Sequence, residues 1–188
     1  MKKLVILIFT CLVLFFCAGA CSSGEPKVLT VYYSLWGNTA ILADVIHQAA
    51  GGDVFAIEAE TPYPADAAHA AAQKHIDEGV LPALKNKVDI ASYDIIFIGT
   101  PNWFGTVALP VKSFLKEYDW SGKTIVPFAT FGGSADNCLT DIVAAAPGAT
   151  ALEGFSISGD DVKNPEKKAK QLVIDWLARI NVKVVETK

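Results

Sequence analysis

Residues 94–99 read Asp-Ile-Ile-Phe-Ile-Gly, an apolar run in which polar and apolar side chains do not alternate. Because successive side chains of a strand point to opposite faces, such a run predicts a strand that is covered on both faces. Strands of this kind are typical of parallel sheets, whose crossover helices cover both faces. This segment therefore predicts an α/β fold built on a parallel sheet.

The rest of the chain supplies the alternating strands and helices that such a sheet needs. Clusters of β-branched and aromatic residues predict further strands at residues 28–33, 54–57, 124–129 and 149–157. Helical spacing of apolar residues, Ala-rich sequence and Pro at helix starts predict helices from about residue 39, over 65–78, from 110, over 139–146 and from about 164. We therefore predict a doubly wound sandwich of three layers with five strands in the sheet.

The composition excludes several other classes of protein. A length of 188 residues suits one domain, and 52% hydrophobic residues are too many for a disordered chain. With 16 Lys and Arg against 20 Asp and Glu, the acidic balance disfavours a nucleic-acid-binding protein. Three of the four cysteines fall in the first 21 residues, so the cysteines predict neither a disulfide framework nor a metal site.

The first 20 residues have the order of a secretory signal. Lys2 and Lys3 are followed by an almost wholly apolar stretch, residues 4–16, and then by the small residues 18–20. Charge, apolar core and small-residue cleavage site occur in this order in signal peptides. We predict that residues 1–20 are removed on export. A retained transmembrane anchor is the alternative, since 17 residues from Leu4 to Ala20 are near the lower limit for a span.

The sequence Ala18-Gly19-Ala20-Cys21 resembles the lipobox of bacterial lipoproteins, in which the Cys is diacylated and becomes the mature N-terminus. The resemblance implies a lipidated Cys21 and a short tether over residues 21–26. It also implies a location on the extracytoplasmic face of a bacterial membrane, the outer membrane in a Gram-negative source. An ordinary cleaved signal with an incidental Cys is the alternative.

Ligands of doubly wound sheets bind outside the carboxyl ends of the strands. The ligand-binding residues are therefore expected in the loops after the predicted strands one, three and four. The first loop, residues 34–39, reads Ser-Leu-Trp-Gly-Asn-Thr and runs into a helix. Hydroxyls, a Gly and a helix N-terminus favour the binding of an anion. The loop lacks the Gly-Lys-Ser/Thr ending of nucleotide triphosphate sites and the second nearby Gly of dinucleotide sites, so a monophosphate is favoured. A helix start that binds nothing is the alternative.

The other two loops are aromatic and glycine-rich. In the second loop, residues 100–106, Trp103 and Phe104 cannot both point into the core, so at least one lies on the surface or over a flat ligand. A loop used only for packing is the alternative. The third loop, residues 130–137, contains Gly132-Gly133, which permits a close approach to a ring, and Phe131, which offers a second face.

Together the three loops resemble those of the flavodoxin family. The first loop is similar to the flavodoxin phosphate loop, of form Ser/Thr-x-Thr-Gly-x-Thr. The second loop, with Gly132-Gly133-Ser134, is similar to a flavodoxin-like group that carries Pro-x-Trp-Trp-Gly-Thr and Gly-Gly-Ser. The resemblance spans about residues 27–181. It implies a flavodoxin-like domain over residues 27–188, strand order 2-1-3-4-5 and non-covalently bound FMN.

The resemblance also implies which residues hold the cofactor. Those for the phosphate are Ser34, Gly37, Asn38 and Thr39, and Trp36 lies in the same loop at the cofactor site, where the family pattern has a small hydroxyl residue. Those for the isoalloxazine ring and the ribityl chain are Pro101, Asn102, Trp103, Phe104, Gly105 and Thr106, with the Gly105 carbonyl as the expected acceptor for the flavin N5–H. Those that close the other side are Thr130, Phe131, Gly132, Gly133 and Ser134.

These features predict a membrane-anchored electron-transfer flavoprotein whose partner is an unidentified redox protein or a quinone. No side chains are arranged as an acid–base pair or an activated nucleophile, and the three histidines are not spaced as metal ligands. One alternative is a flavodoxin-like NAD(P)H-dependent reductase of quinones or nitro compounds. The other is a non-redox binding module in which Trp36 has cost the phosphate site its FMN. Cys138 is expected to be a buried small residue at a helix start, and Trp120 and Trp176 are expected in the core.

Overall fold

The computed structural model describes residues 24–164 and 169–185. Its strands are β1 (Val28–Tyr32), β2 (Asp53–Ala56), β3 (Ile95–Trp103), β4 (Thr106–Val107), β5 (Thr124–Phe131), β6 (Thr150–Ala151) and β7 (Phe155–Ser158). Its helices are α1 (Asn38–Ala50), α2 (Ala68–Asp77), α3 (Leu109–Glu117), α4 (Cys138–Ala144), α5 (Gly159–Lys163) and α6 (Ala169–Arg179). A short 3₁₀ helix, Ile90–Ser92, precedes β3.

The main sheet is parallel, in the order β2-β1-β3-β5, with β6 and β7 both paired to β5. The predicted order 2-1-3-4-5 is confirmed, because β5 is the predicted fourth strand and β6 with β7 the predicted fifth. The fifth strand is interrupted opposite Pro127, which has no N–H to donate to a neighbouring strand. Gly154 lies at the interruption, where a Cβ would come within 2.8 Å of the Pro127 carbonyl oxygen.

Strand β3 is covered on both faces, as its apolar run predicts: Ile96, Phe97 and Ile98 each have 0% of their surface exposed. Ile96 and Ile98 belong to a core under α2, α3 and α4. Phe97 belongs to the core under α1, α5 and α6. The three predicted layers are therefore present, and the loops at the carboxyl ends of β1, β3 and β5 lie side by side. Trp120 and Trp176 are fully buried in these cores, as expected.

Several elements differ from the sequence prediction, among them β4, which was not predicted. Helix α2 begins at Ala68 rather than at residue 65, because residues 65–67 form a turn in which the Ala67 N–H donates to the Pro64 carbonyl. Strand β3 continues to Trp103, into the segment predicted as a loop, because Thr100 and Pro101 pair with β5 and Asn102 and Trp103 pair with β4. Helix α5 was not predicted, and its five residues are too few to carry a helical repeat.

The predicted leader and the first half of the tether, residues 21–23 with Cys21, lie outside the described residues. Among the helices that the structure describes, none combines the length and the apolar character needed to span a bilayer.

Candidate functional site

The three loops meet at the carboxyl edge of the sheet, since β1, β3 and β5 are neighbours in it. A small cavity of about 70 Å³, here called the edge pocket, opens between them. All of its lining residues except Leu35 were expected at the site from the sequence. They are Ser34, Leu35, Trp36, Asn38, Thr39, Pro101, Asn102, Thr130, Phe131 and Gly132.

The first loop ends at the N-terminus of α1, which is open to a ligand. Gly37 occupies the N-cap position with φ 87°, a left-handed conformation that favours glycine, and no described side chain caps the helix. The first turn carries no carboxylate. Because the first N–H groups of a helix have no partner within it and lie at the positive end of its dipole, this end favours an anion.

Two side-chain oxygens of the first loop are buried without a hydrogen-bond partner among the described residues, Ser34 Oγ and Asn38 Oδ1. A buried polar atom without a partner costs about 1–3 kcal/mol. The other such atoms that the structure describes are Thr30 Oγ1, His47 Nδ1 and Trp103 Nε1. Of all these atoms, only Ser34 Oγ and Asn38 Oδ1 lie beside the open end of α1. The Asn38 side chain packs against Gly159, where a Cβ would lie 2.2 Å from its Nδ2. Helix α5 therefore holds the Asn38 amide in place.

Thr39, in contrast, has its hydroxyl already engaged. Thr39 Oγ1 and Thr130 Oγ1 are 2.8 Å apart, and both residues are buried. The two residues thus join the start of α1 to the end of β5 and fix the first loop against the third.

Trp36 lies on the rim of the edge pocket with 44% of its surface exposed. Its indole Nε1–H donates to the carbonyl of Ala65 (3.3 Å), and its rings stack on His69 of α2 with centroids 5.5 Å apart. Nothing in the sequence pattern distinguished His69, which lies 33 residues after Trp36 in the sequence. It becomes part of the site through its contact with Trp36 in the folded protein.

The second loop is a hairpin between β3 and β4 with a two-residue turn. Phe104 (φ 55°) and Gly105 (φ 78°) are both left-handed, which matches the twist of a tight hairpin. Trp103 points inward and is 2% exposed, whereas Phe104 points outward and is 48% exposed. The expectation that one of the two aromatic residues lies on the surface is confirmed, and Trp103 packs against Tyr33 and Tyr63.

Asn102 joins the second loop to the third. Its Nδ2 donates to the Ser134 carbonyl (2.6 Å) and to Asp136 Oδ2 (2.8 Å), and its Oδ1 accepts the N–H of Gly105 (2.9 Å). The Gly105 carbonyl, expected to face a flavin, accepts the N–H of Asn137 at 3.1 Å. The Asn102 side chain therefore positions both loops through hydrogen bonds within the protein.

The third loop presents an open backbone and one carboxylate. Gly132 and Gly133 are exposed, and a Cβ at either would meet no atom within 4 Å. Hydrogen bonds from Ser134 Oγ and from Asn102 lower the pKa of Asp136 below its ordinary value of 3.8. Asp136 is therefore ionised at neutral pH and places a negative charge beside the turn at Gly105.

Cys138 lies under the hairpin at the start of α4. It is fully buried, and its Sγ–H donates to the carbonyl of Thr106 (3.3 Å). Burial, assisted by the negative charges of Asp141 and Asp136, raises the pKa of the thiol to about 12. The expectation of a buried small residue is confirmed. The Thr106 hydroxyl donates to Asp141 Oδ2, so Thr106 also serves to position the hairpin.

Within residues 24–164 and 169–185, no group of three or more His, Cys, Asp and Glu side chains is placed to hold a metal ion. His75 instead hydrogen-bonds to the Tyr63 hydroxyl at 2.7 Å.

Comparisons with known proteins give a consistent result. The sequence profile of a family described as flavodoxin matches residues 27–176. A protein of Brucella anthropi named NAD(P)H dehydrogenase (quinone) is 30% identical over 126 residues, which are 60% of this chain and 62% of that protein. The chain spans 46% and 62% of the length of the two curated relatives that carry this name.

Two solved structures share the fold. A protein of Bacteroides eggerthii DSM 20697, described as a candidate flavoprotein, is 30% identical with a TM-score of 0.72, over 85% of this chain and 100% of that one. A flavoprotein of Lactobacillus acidophilus NCFM in complex with FMN is 24% identical with a TM-score of 0.61, over 70% of this chain and 93% of that one.

Proposed function

The chain belongs to the flavodoxin family, and from this premise we propose that it binds FMN non-covalently at the edge pocket and transfers electrons. The observation that carries the proposal is the open end of α1 with two unpartnered buried oxygens, Ser34 Oγ and Asn38 Oδ1. The Ser34 hydroxyl can donate to a phosphate oxygen, and the Asn38 amide oxygen can accept from a hydroxyl such as those of the ribityl chain.

The second and third loops fit the flat ring of a flavin. Phe104 offers an exposed aromatic face, Phe131 lines the pocket, and Gly132 and Gly133 leave the backbone open to a ring. A bound flavin supplies reversible transfer of one or two electrons, and the protein tunes that chemistry. Asp136 places a negative charge beside Gly105. This charge would oppose the gain of negative charge by a flavin bound there and so lower the reduction potential of the flavin.

A second candidate function is supported by the names of the curated relatives. Two of them are named NAD(P)H dehydrogenase (quinone), a reaction in which a nicotinamide donor reduces a quinone. A carrier and a reductase would use the same edge pocket. They differ in whether a nicotinamide donor and a quinone turn over on this chain alone.

A titration of the full chain, purified in detergent, tests both functions. We expect FMN to bind with flavin absorption bands and to bind more tightly than riboflavin, which lacks the phosphate. Failure to take up FMN would overturn the proposal and favour a binding module for another ligand. Sustained oxidation of NADH or NADPH with a soluble quinone would favour the reductase, and its absence would favour the carrier.

The location is a separate proposal. We propose that residues 1–20 are removed and that Cys21 is acylated, because residues 18–21 resemble a lipobox. Two or more acyl groups would hold the chain stably in a bilayer. Mass spectrometry of the membrane-extracted protein should show a loss of residues 1–20 and added acyl groups. The substitution Cys21→Ser should release the protein from the membrane, whereas Cys17→Ser, the matched control, should not. An unmodified Cys21 in the mature protein contradicts the proposal.

A further inference from the structure

The chain enters the domain at the edge of the sheet that lies opposite the edge pocket. Strand β1 begins at Val28, and Ser34, which lines the edge pocket, follows the other end of this strand. The five residues of β1 alone cover about 17 Å. We call the edge formed by the first residues of β1, β3 and β5 the amino edge.

The segment before β1 is attached to the amino edge. The Lys27 N–H donates to Asp94 Oδ2 (2.8 Å), and the Lys27 carbonyl accepts the N–H groups of Asp94 and Ile95 at 2.9 and 3.2 Å. Two residues earlier, the Glu25 carboxylate forms an ion pair with Lys183. The chain is therefore held from Lys27 onward by hydrogen bonds and, through an exposed and weaker contact, from Glu25 onward.

The segment that carries Lys183 is itself fixed to the domain. Two residues after Lys183, the Val185 N–H donates to the carbonyl of Ala49 in the last turn of α1 (2.8 Å). The ion pair therefore joins Glu25 to a positioned part of the amino edge.

This attachment limits how far the domain can move from an acylated Cys21. Cys21 precedes Glu25 by four residues and Lys27 by six, so the connecting chain spans at most about 14 and 22 Å. A domain of about 160 residues is about 40 Å across. The domain can tilt on such a tether but cannot turn its far edge to the bilayer, so the edge pocket stays about 20 Å from the lipid surface even at full extension.

We propose that the amino edge faces the bilayer and that the edge pocket opens into the aqueous phase, so that its electron partners are water-soluble and not embedded in the membrane. The inference rests on the proposed acylation of Cys21, which brings the domain to a bilayer. Its redox consequence rests on the proposed flavin at the edge pocket. A molecule dissolved among the acyl chains cannot contact a flavin held at this distance above them.

Energy transfer to a fluorescent headgroup-labelled lipid measures the orientation without any bound cofactor. Ser92 is exposed and lines a cleft beside Lys27 at the amino edge. Ala67 is exposed in the turn that follows Ala65, the hydrogen-bond partner of Trp36 at the opposite edge. The substitutions Ser92→Cys and Ala67→Cys provide labelling sites in the full chain after its processing. On phosphatidylcholine vesicles we expect several-fold stronger transfer from position 92 than from position 67.

Two further variants test whether the tether sets this orientation. A flexible Gly/Ser insert of about 20 residues after Ser23 adds about 25 Å of mean length and should make the transfer from the two positions nearly equal. Glu25→Ala frees only two more residues and should reduce the contrast slightly, because Lys27 remains bound. Cys21→Ser should abolish transfer from both positions, since the chain leaves the vesicles.

The redox consequence is tested on the FMN-loaded chain on the same vesicles, reduced with stoichiometric dithionite. The oxidants are ferricyanide in the water and a long-chain quinone dissolved in the bilayer. Each reduced flavin gives two electrons, either to two ferricyanide ions or to one quinone, which also takes up two protons. We expect ferricyanide to reoxidise the unmodified chain and the insertion variant equally fast. The bilayer quinone should reoxidise the insertion variant several-fold faster than the unmodified chain.

Other outcomes separate the inference from the proposals on which it rests. Equal transfer from positions 92 and 67 in an acylated chain would overturn the orientation and leave the location standing. A chain without acyl groups would overturn both. If the protein takes up no FMN but the contrast in transfer persists, the orientation stands and the proposed function fails. Equally fast reoxidation of both chains by the bilayer quinone would show that the edge pocket reaches the membrane, which contradicts the inference.

Discussion

The first loop and the pair formed by the second and third loops meet at one edge of the sheet, but they differ in how many hydrogen bonds join their polar side chains to the protein, although Trp103 Nε1 of the second loop is also buried without a described partner. The first loop leaves Ser34 Oγ and Asn38 Oδ1 buried without a partner among the described residues, next to a helix end without a side-chain cap. The second and third loops are joined to each other, and the hairpin turn is fixed, by the three hydrogen bonds of Asn102. Under the FMN binding proposed above, the ligand would complete the phosphate end, whereas the ring end is formed before the ligand binds.

The two ends should therefore respond differently to mutation. At the phosphate end, the side-chain atoms proposed to bind the ligand destabilise the free protein. Each of them is buried without a partner, which costs about 1–3 kcal/mol of folding free energy. At the ring end, affinity depends on hydrogen bonds that also stabilise the free protein. FMN and riboflavin separate the two ends experimentally, because only FMN carries the phosphate.

The largest expected effect is at the ring end, in Asn102→Ala. This substitution removes three hydrogen bonds, to Ser134, Asp136 and Gly105, each worth about 1 kcal/mol. We expect FMN and riboflavin affinities to fall together by roughly 100-fold, as measured by fluorescence titration. The control is Asn86→Ala, which removes two hydrogen bonds to the backbone of Ala56 and Glu58, none of them to the second or third loop, and should lower the melting temperature without changing either affinity. A loss confined to FMN would place Asn102 at the phosphate end instead.

A smaller effect with an opposite sign on stability is expected for Ser34→Ala. The hydroxyl is unpartnered in the free protein, so its removal should leave the free energy of unfolding unchanged or raise it. FMN affinity should fall about tenfold, the scale of one hydrogen bond to a charged group, while riboflavin affinity is unchanged. The matched control is Ser113→Ala, because the Ser113 hydroxyl donates its one proton to the carbonyl of Pro82 (2.7 Å) or of Leu109 (3.2 Å) and should therefore be needed for stability only. Equal losses of FMN and riboflavin would contradict a phosphate contact.

The sequence predicted the sheet and its loops because the signals for them are local. The unbroken apolar run of β3 and the helical stripes of α1 and α6 reflect burial on known faces, so the layers followed, whereas the strand order came from the resemblance of the loops to the flavodoxin family. The hairpin was missed because Phe104 occupies a left-handed turn position that is usually Asn, Asp or Gly. Nothing local predicts a residue such as His69, which joins the site only through contacts made by folding.

The role of individual polar residues was also beyond the sequence. Asn102 and Thr39 were expected to contact the cofactor, and both are polar residues in the right loops. In the structure, the Thr39 hydroxyl is hydrogen-bonded to that of Thr130. Both the nitrogen and the oxygen of the Asn102 amide are hydrogen-bonded to protein groups. A motif identifies the loop that a polar residue belongs to, whereas the partner of its side chain depends on distances that only the fold sets.

A modest dependence on pH is expected at the ring end. Because hydrogen bonds lower the pKa of Asp136 in the folded protein, its contribution is fully present above the ordinary value of 3.8 and is lost as the pH falls through the lowered value. The contribution of Asp136 to the melting temperature should therefore be constant from neutral pH to about pH 4 and be lost below that pH, as a small step. Asp136→Asn should remove this step. A step near neutral pH would assign the dependence to another group.

The slow alkylation of Cys138 reports how tightly the ring end is closed. Its thiol is buried with a pKa of about 12, and it donates to the Thr106 carbonyl, so at pH 8 iodoacetamide should modify it only when the hairpin opens. Peptide mass spectrometry distinguishes Cys138 from Cys11, Cys17 and Cys21 in the full chain. Asn102→Ala should accelerate the reaction several-fold, since it releases the hairpin from the third loop. Ser34→Ala should not, because the first loop holds neither Cys138 nor Thr106. If both substitutions accelerated alkylation equally, the two ends would open as one unit, and the contrast between a ligand-completed end and a preformed end would be wrong.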